Sequence, residues 1–171
     1  MGIMDTIKQR RSVRDFLDKP IPDDALDIMI EAVRWAPSAG NLQSRKFYFV
    51  LNQEIKTRLS EAALDQKFIA RAPLVVVACA DHRIVSRYGE RGVNLYCIQD
   101  VSAGIQNLLL VCHDIGLGAC WVGAFREGDV RSIINLGHEL RPVAIIPIGY
   151  PGRVPNPPAR LPKEYVVEFI K

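Results

Sequence analysis

The run APLVVVACA (72–80) contains no polar residue, and four of its nine side chains are β-branched or bulky aliphatic. Successive side chains of a strand point to opposite faces, so a strand apolar at every position must be covered on both sides. RPVAIIPIGYP (141–151) repeats the pattern. Between the two lies a segment, 93–115, that is apolar nearly all round; it predicts the longest helix, buried inside the fold or at a subunit interface. Buried strands separated by helices require a sheet with helical layers, an α+β or α/β arrangement.

The remaining elements follow from periodicity and punctuation. Ile3, Met4 and Ile7 share one helical face, giving a short helix that ends near Arg10. Pro20 and Pro22 force a connection, after which Asp24 is the expected N-cap of a second helix. Ala25, Ile28, Met29, Ala32, Val33 and Ala36 line its apolar face, and Pro37 stops it. APSAGNLQS is a loop, KFYFVL a short strand, and Ile55, Leu59, Ala62 and Ala63 mark another helix. DHRIVSRYGERG (81–92) is expected as a loop, GLGACWVG (116–123) as a turn and short strand, and Glu127 to Leu136 as a short helix. Five prolines within residues 151–162 keep the tail extended, so it lies against the same subunit or a partner. A chain of 171 residues with these elements is expected to form one domain, 1–171, burying roughly 70% of its unfolded surface.

Composition narrows the function classes. The net charge of +3 arises from 22 Lys and Arg against 19 Asp and Glu, with the cations scattered after residue 14, which argues against nucleic acid as a partner. Cys79, Cys97, Cys112 and Cys120 form no C-x-x-C pair and three sit in apolar runs, so they are expected as buried free thiols in a reducing compartment. His82, His113 and His138 are too far apart for a ligand motif, and no metal is expected. The apolar stretch around 93–112 is interrupted by Gln99, Asp100, Gln106 and Asn107, which makes it a poor membrane span. Nothing resembles a signal peptide, and the loose myristoylation match of Gly2 with Thr6 carries little weight; a cytoplasmic protein is expected.

Three segments could carry chemistry. In RRSVR, extended backbone past the first helix would send Arg10, Ser12 and Arg14 to one side. Two forked guanidinium donors flanking a hydroxyl suit a phosphate or an electron-rich carbonyl edge. The plainer alternative is that Arg10 and Arg11 complement the C-terminal end of the helix. APSAGNLQ offers a hydroxyl and two amides, groups that read the donor and acceptor edge of a heterocycle, or that simply satisfy their own loop. GLGACWVG is not a dinucleotide fingerprint: Trp121 stands where a third glycine is needed, and the segment follows a helix rather than a strand. Gly118 and Gly123 would instead let backbone approach a flat ligand. With no hydrolytic motif in these segments, the chemistry is expected to belong to a cofactor.

Together, R-R-S-x-R, then A-P-S-x-x-N-x-Q, then G-L-G before a hydrophobic strand, then I-G-Y-P with a Pro-rich basic tail resemble the FMN-dependent nitroreductase family, in order across nearly the whole chain. The resemblance implies an α+β sandwich, a central mixed β-sheet flanked by helices, in an intertwined homodimer with FMN at the subunit interface. It places Arg10 and Ser12 on the FMN phosphate and Arg14 beside the flavin pyrimidine edge, with Arg11 adjacent. Pro37, Ser38, Ala39, Asn41 and Gln43 fall in the loop that reaches the flavin of the other subunit. Backbone at Trp121, Val122 and Gly123 would border the ring near its reactive nitrogen, and Arg160 would be a second cation on the phosphate. A cation at Arg14 would stabilise negative charge on the reduced flavin. The implied activity is ping-pong: NADH or NADPH gives hydride to FMN and leaves, then a nitroaromatic, quinone or flavin-like acceptor is reduced.

Two departures stand out. Ser44 occupies the position after the loop's Gln where many members have proline, and only DHRIVSRYGERG separates the third strand from the long helix, where larger members insert covering helices. The pocket would then be open, or capped by Arg83, Arg87 and Arg91 in a way that favours anionic acceptors. The alternatives are a flavin-binding carrier or sensor without significant turnover, an oxidative or flavin-consuming member of the same fold, and a colourless phosphate-binding module.

Overall fold

The computed structural model of the protein describes residues 2–171. Its centre is the all-apolar run: β2 (Leu74–Asp81) is buried along its whole length. It pairs antiparallel with β1 (Arg45–Val50) on one side and β4 (Leu140–Gly149) on the other, and β3 (Gly118–Ala119) completes the order β1-β2-β4-β3. The two-residue period explains the double burial. Leu74, Val76, Ala78 and Ala80 join Ala144, Ile146 and Ile148 in a core on one face, while Val75, Val77 and Cys79 join Ile145 in a core on the other.

Helices cover both faces. Against the first lie Met29 and Val33 of α2 (Asp23–Arg34) and Cys97, Val101, Ile105, Leu108 and Cys112 of α6 (Cys97–Asp114). Against the second lie Leu59 and Ala62 of α3 (Gln53–Ala62), Ile69 of α4 (Phe68–Arg71) and Val130 of α7 (Glu127–Ile133). The N-terminal helix α1 (Ile3–Gln9) runs beside the end of α6, where the Thr6 hydroxyl donates to Asp114 at 3.4 Å. Beyond Pro151 the chain is extended and exposed apart from a short turn at Lys163–Tyr165.

Several expectations change. The strand ladders are antiparallel throughout, and the parallel element of the expected mixed sheet is a single bridge between Ser12 and Ala119. The N-cap of α2 is Pro22, not Asp24, whose carboxylate instead accepts from the Ala25 N–H at 2.8 Å. Residues 81–92 are not a loop. A turn at His82–Ile84 runs into α5 (Val85–Arg91), kinked at Gly89 (φ 55°, ψ −151°), and a π-helical turn at Gly92–Tyr96 leads into α6, a 33-residue run of helical segments in all. That run is long and apolar enough to cross a membrane, but its apolar face is the core packed on the sheet. The helix expected to reach Leu136 ends at Ile133, just before Asn135 takes a left-handed φ of 50°.

All four cysteines are free and buried. Burial pushes the thiols of Cys79 and Cys112 up to about 12.

Candidate functional site

After α1, the chain extends from Arg10 (φ −53°, ψ 135°) and runs alongside β3: the Val13 N–H donates to the Ala119 carbonyl at 3.0 Å. Val13 is buried because of what lies opposite. A Cβ on Gly118 would sit 2.7 Å from the Val13 Cβ, so this glycine admits Val13 and not a flat ligand, contrary to expectation. Gly123 differs, since a Cβ there would meet nothing within 4 Å.

The Val13 anchor leaves its polar neighbours on the surface. Arg10, Arg11, Ser12 and Arg14 line a cleft of about 320 Å³ together with Pro155, Asn156, Pro158 and Arg160 from the tail. No acidic residue lines it, and among the described residues none of its four arginines makes a salt bridge. Arg11 is partly spoken for, donating to the Lys8 and Arg10 carbonyls at 2.7 and 2.8 Å, which is the helix-end role. Arg160 donates to the carbonyls of Pro158 and Ala159 at 3.3 and 3.2 Å, and the Arg14 guanidinium lies 5.9 Å from the centre of the Phe68 ring. Among the described residues the Arg10 guanidinium makes no hydrogen bond, and the Ser12 hydroxyl reaches the Cys120 thiol. Concentrated guanidinium donors and a hydroxyl, with no carboxylate among them, have the donor chemistry that suits a phosphate monoester.

The field of this cluster reaches the adjoining strand. Burial raises the Cys120 thiol, and Arg14, Arg10 and a contact with the Ser12 hydroxyl draw it back down. Immediately after it, Trp121 is 39% exposed, Val122 is buried and paired in both directions with Ile145 at 2.9 Å, and Gly123 is exposed.

The loop 37–44 does not line the arginine cleft of its own chain. It is built tightly. Gly40, Asn41 and Gln43 all take left-handed φ, between 54° and 55°. The Ser38 hydroxyl accepts the Gln43 N–H at 3.0 Å, so Ser38 does satisfy its own loop, whereas the amides of Asn41 and Gln43 make no side-chain hydrogen bond to other described residues. A Cβ on Gly40 would lie 2.4 Å from the Tyr88 hydroxyl, which fixes α5 against this loop.

That contact revises the expected basic cap. Arg83 is held by the Asp81 carboxylate through its Nε at 2.9 Å, and Arg91 by the Tyr96 hydroxyl at 2.9 Å, leaving Arg87 as the one of the three without a side-chain partner among the described residues. The residues missed from sequence are Asp100 and Arg45, which hold the loop from beneath, and Asn156, on the wall of the cleft. Asp100 carried a signal: it falls on the buried stripe of α6 with Cys97, Val101 and Gly104, where a charge needs a partner.

An α+β sheet with an arginine-rich anion cleft at one end of its strands and a structured amide loop at the other fits a protein with a phosphate-bearing cofactor. The nitroreductase family model matches residues 7–68 and 61–150, and the chain belongs to that family. It is 30% identical over 160 residues to a Methanothermobacter thermautotrophicus protein whose provisional name pairs NADH dehydrogenase with NAD(P)H nitroreductase, covering 91% of this chain and 81% of that one. It is 29% identical over 178 residues to the FMN reductase [NAD(P)H] of Bacillus subtilis, covering 96% and 72%. The NADPH:FMN oxidoreductase of Vibrio harveyi, solved in complex with NAD+, superposes with a TM-score of 0.91 at 26% identity, over 99% of this chain and 77% of that one.

Proposed function

We infer that this protein is an FMN-dependent NAD(P)H oxidoreductase that reduces nitroaromatic, quinone or flavin-like acceptors. The observation that carries the reading is the cleft of Arg10, Arg11, Ser12, Arg14 and Arg160 with no acid on its walls, a fit to the FMN phosphate. Relatives named FMN reductase and NADPH-flavin oxidoreductase support the cofactor and the donor. Bound FMN would supply the hydride-accepting and hydride-donating chemistry, and this chain's residues do the holding. Arg10, Ser12 and Arg160 grip the phosphate. Arg14 places positive charge where reduction adds negative charge. Trp121, Val122 and Gly123 border the ring, and Pro37, Ser38, Ala39, Asn41 and Gln43 read its polar edge.

The loop's absence from its own chain's cleft supports its service to a second copy, in a homodimer with one FMN at each interface. Exposed Ile3, Ile7, Ile28 and Trp35 near the outer side of α6 would be the apolar surface that such a dimer covers. The whole chain, 1–171, acts as one FMN-binding domain with its tail as an arm. Free buried thiols support a soluble protein in the reducing cytoplasm.

The test is the absorption spectrum of the purified protein followed by anaerobic NADH and NADPH titration. Flavin bands that bleach with either nucleotide are expected. Bound flavin that resists both would make the protein a carrier or sensor, and a protein that stays colourless after FMN addition would refute the site.

A further inference from the structure

We propose that Asp100 is the positioning residue of the loop 37–44, setting from within the core where the loop's amides meet the flavin; this rests on the FMN reading above. Asp100 is 4% exposed, on the sheet-facing stripe of α6. One carboxylate oxygen accepts the Ala39 N–H at 2.9 Å and the other the Ser44 N–H at 3.4 Å. The same carboxylate therefore holds both ends of the stretch Gly40–Gln43, in which Gly40, Asn41 and Gln43 are left-handed.

The opposite charge works on the approach to the loop. Arg45 donates to the carbonyls of Arg34, Ala36 and Pro37 at 3.2, 2.6 and 3.1 Å, fixing the exit of α2; burial lowers its guanidinium from the ordinary value, and the Asp100 charge opposes that in part. A buried carboxylate is costly unless its oxygens are satisfied. Here they are satisfied by loop N–H groups, so the helix end, the loop and the long core helix hold one geometry. Left-handed backbone at Asn41 and Gln43 is disfavoured for residues with a Cβ, and anchors at 39 and 44 keep it in place. Tyr88 over Gly40 closes the remaining side.

The experiment measures FMN dissociation constants for the wild type, Asp100→Asn, Asn41→Ala, Arg10→Ala and the doubles of Asp100→Asn with each. Asparagine matches the shape but presents a donor to one loop N–H, and the expected loss in FMN affinity is about tenfold. In the Asn41→Ala background most of that loss should vanish, because the group being positioned is gone; in the Arg10→Ala background it should persist in full. If Asp100→Asn does not fold, Ala39→Pro carries the same comparisons: it deletes the N–H that the carboxylate accepts, and Ser38 is already extended (φ −151°, ψ 156°), as a residue before proline must be. Equal losses in both backgrounds would reduce Asp100 to a general stabiliser and overturn the proposal. So would a variant that binds FMN like the wild type. A wild type that binds no FMN would instead remove the functional reading, and this inference with it.

Discussion

Replacing Gly118 by alanine tests how the arginine cleft is held. The new Cβ would sit 2.7 Å from the Cβ and Cγ2 of Val13 and 2.8 Å from its Cγ1. Neither residue can retreat freely: Val13 is 3% exposed, and its N–H is bonded to the Ala119 carbonyl at 3.0 Å. Overpacking of this kind costs about 1–3 kcal/mol. For a chain of this size a value near 2 kcal/mol lowers the melting temperature by roughly 4–8 °C. The segment pushed outward carries Arg10, Ser12 and Arg14, so FMN affinity should fall too, by about tenfold if one charge-assisted hydrogen bond to phosphate is lost. Thermal unfolding of the apoprotein and fluorescence titration with FMN read the two effects separately. Val13→Ala should rescue only in part, since it leaves the Cβ contact at 2.7 Å. Gly123→Ala, whose Cβ would meet nothing within 4 Å, is the control for stability alone, since Gly123 borders the proposed flavin, and its unfolding free energy should stay within about 0.5 kcal/mol of wild type. A Gly118→Ala protein that melts and binds FMN like the wild type would refute the reasoning.

Further expectations follow from charge and burial. Arg10→Ala and Arg160→Ala should each weaken FMN binding about tenfold and lessen its salt dependence, measured by titration at several ionic strengths. Asp81 accepts from the Arg83 N–H and Nε, both at 2.9 Å, and this pairing holds its carboxyl below the usual carboxylate value. Its stabilisation is therefore present above that value and lost as pH falls through the lowered one, so Asp81→Asn should cost about 1–3 kcal/mol at pH 7 and progressively less in acid, by denaturant titration across pH. Cys79 and Cys112, pushed up to about 12, fold as neutral thiols. Stability should fall as pH rises above about 9, where the unfolded chain alone ionises, and a thiol reagent at pH 8 should label these two cysteines only as the protein unfolds.

The strands at 74–81 and 140–149 were legible because alternation leaves an all-apolar strand no option but two covers. Arg10, Ser12 and Arg14 were legible as an anion-binding set because extended backbone sends them to one side, Arg160 was legible only through the family resemblance, and the structure brings all four to one cleft. The helical run from His82 was not: Gly89 interrupts it with a kink at φ 55° and ψ −151°, while Gly92 is packed so closely on Tyr88 and Ile84 that a Cβ would lie 2.9 Å from the Tyr88 Cβ, a tertiary fit that leaves no periodicity to read. Strand direction was hidden as well, since buried antiparallel and parallel strands share one composition. Asp100 was visible only as an interruption in an apolar helix; its partners are backbone N–H groups, which leave no mark on the sequence.

The tail puts a cation of the arginine cleft and an uncovered apolar surface on the same arm. Leu161, Phe169 and Ile170 are 71%, 83% and 98% exposed on a single chain, while Arg160 one residue away reaches the arginine cleft. A protease meeting this arm before assembly finds extended backbone with no core behind it. Cleavage ahead of residue 160 would remove the cation and the exposed apolar segment in one cut. Under the FMN reading, cofactor and subunit should therefore protect the same peptide bonds, and a nicked preparation should lose its colour and its partner together.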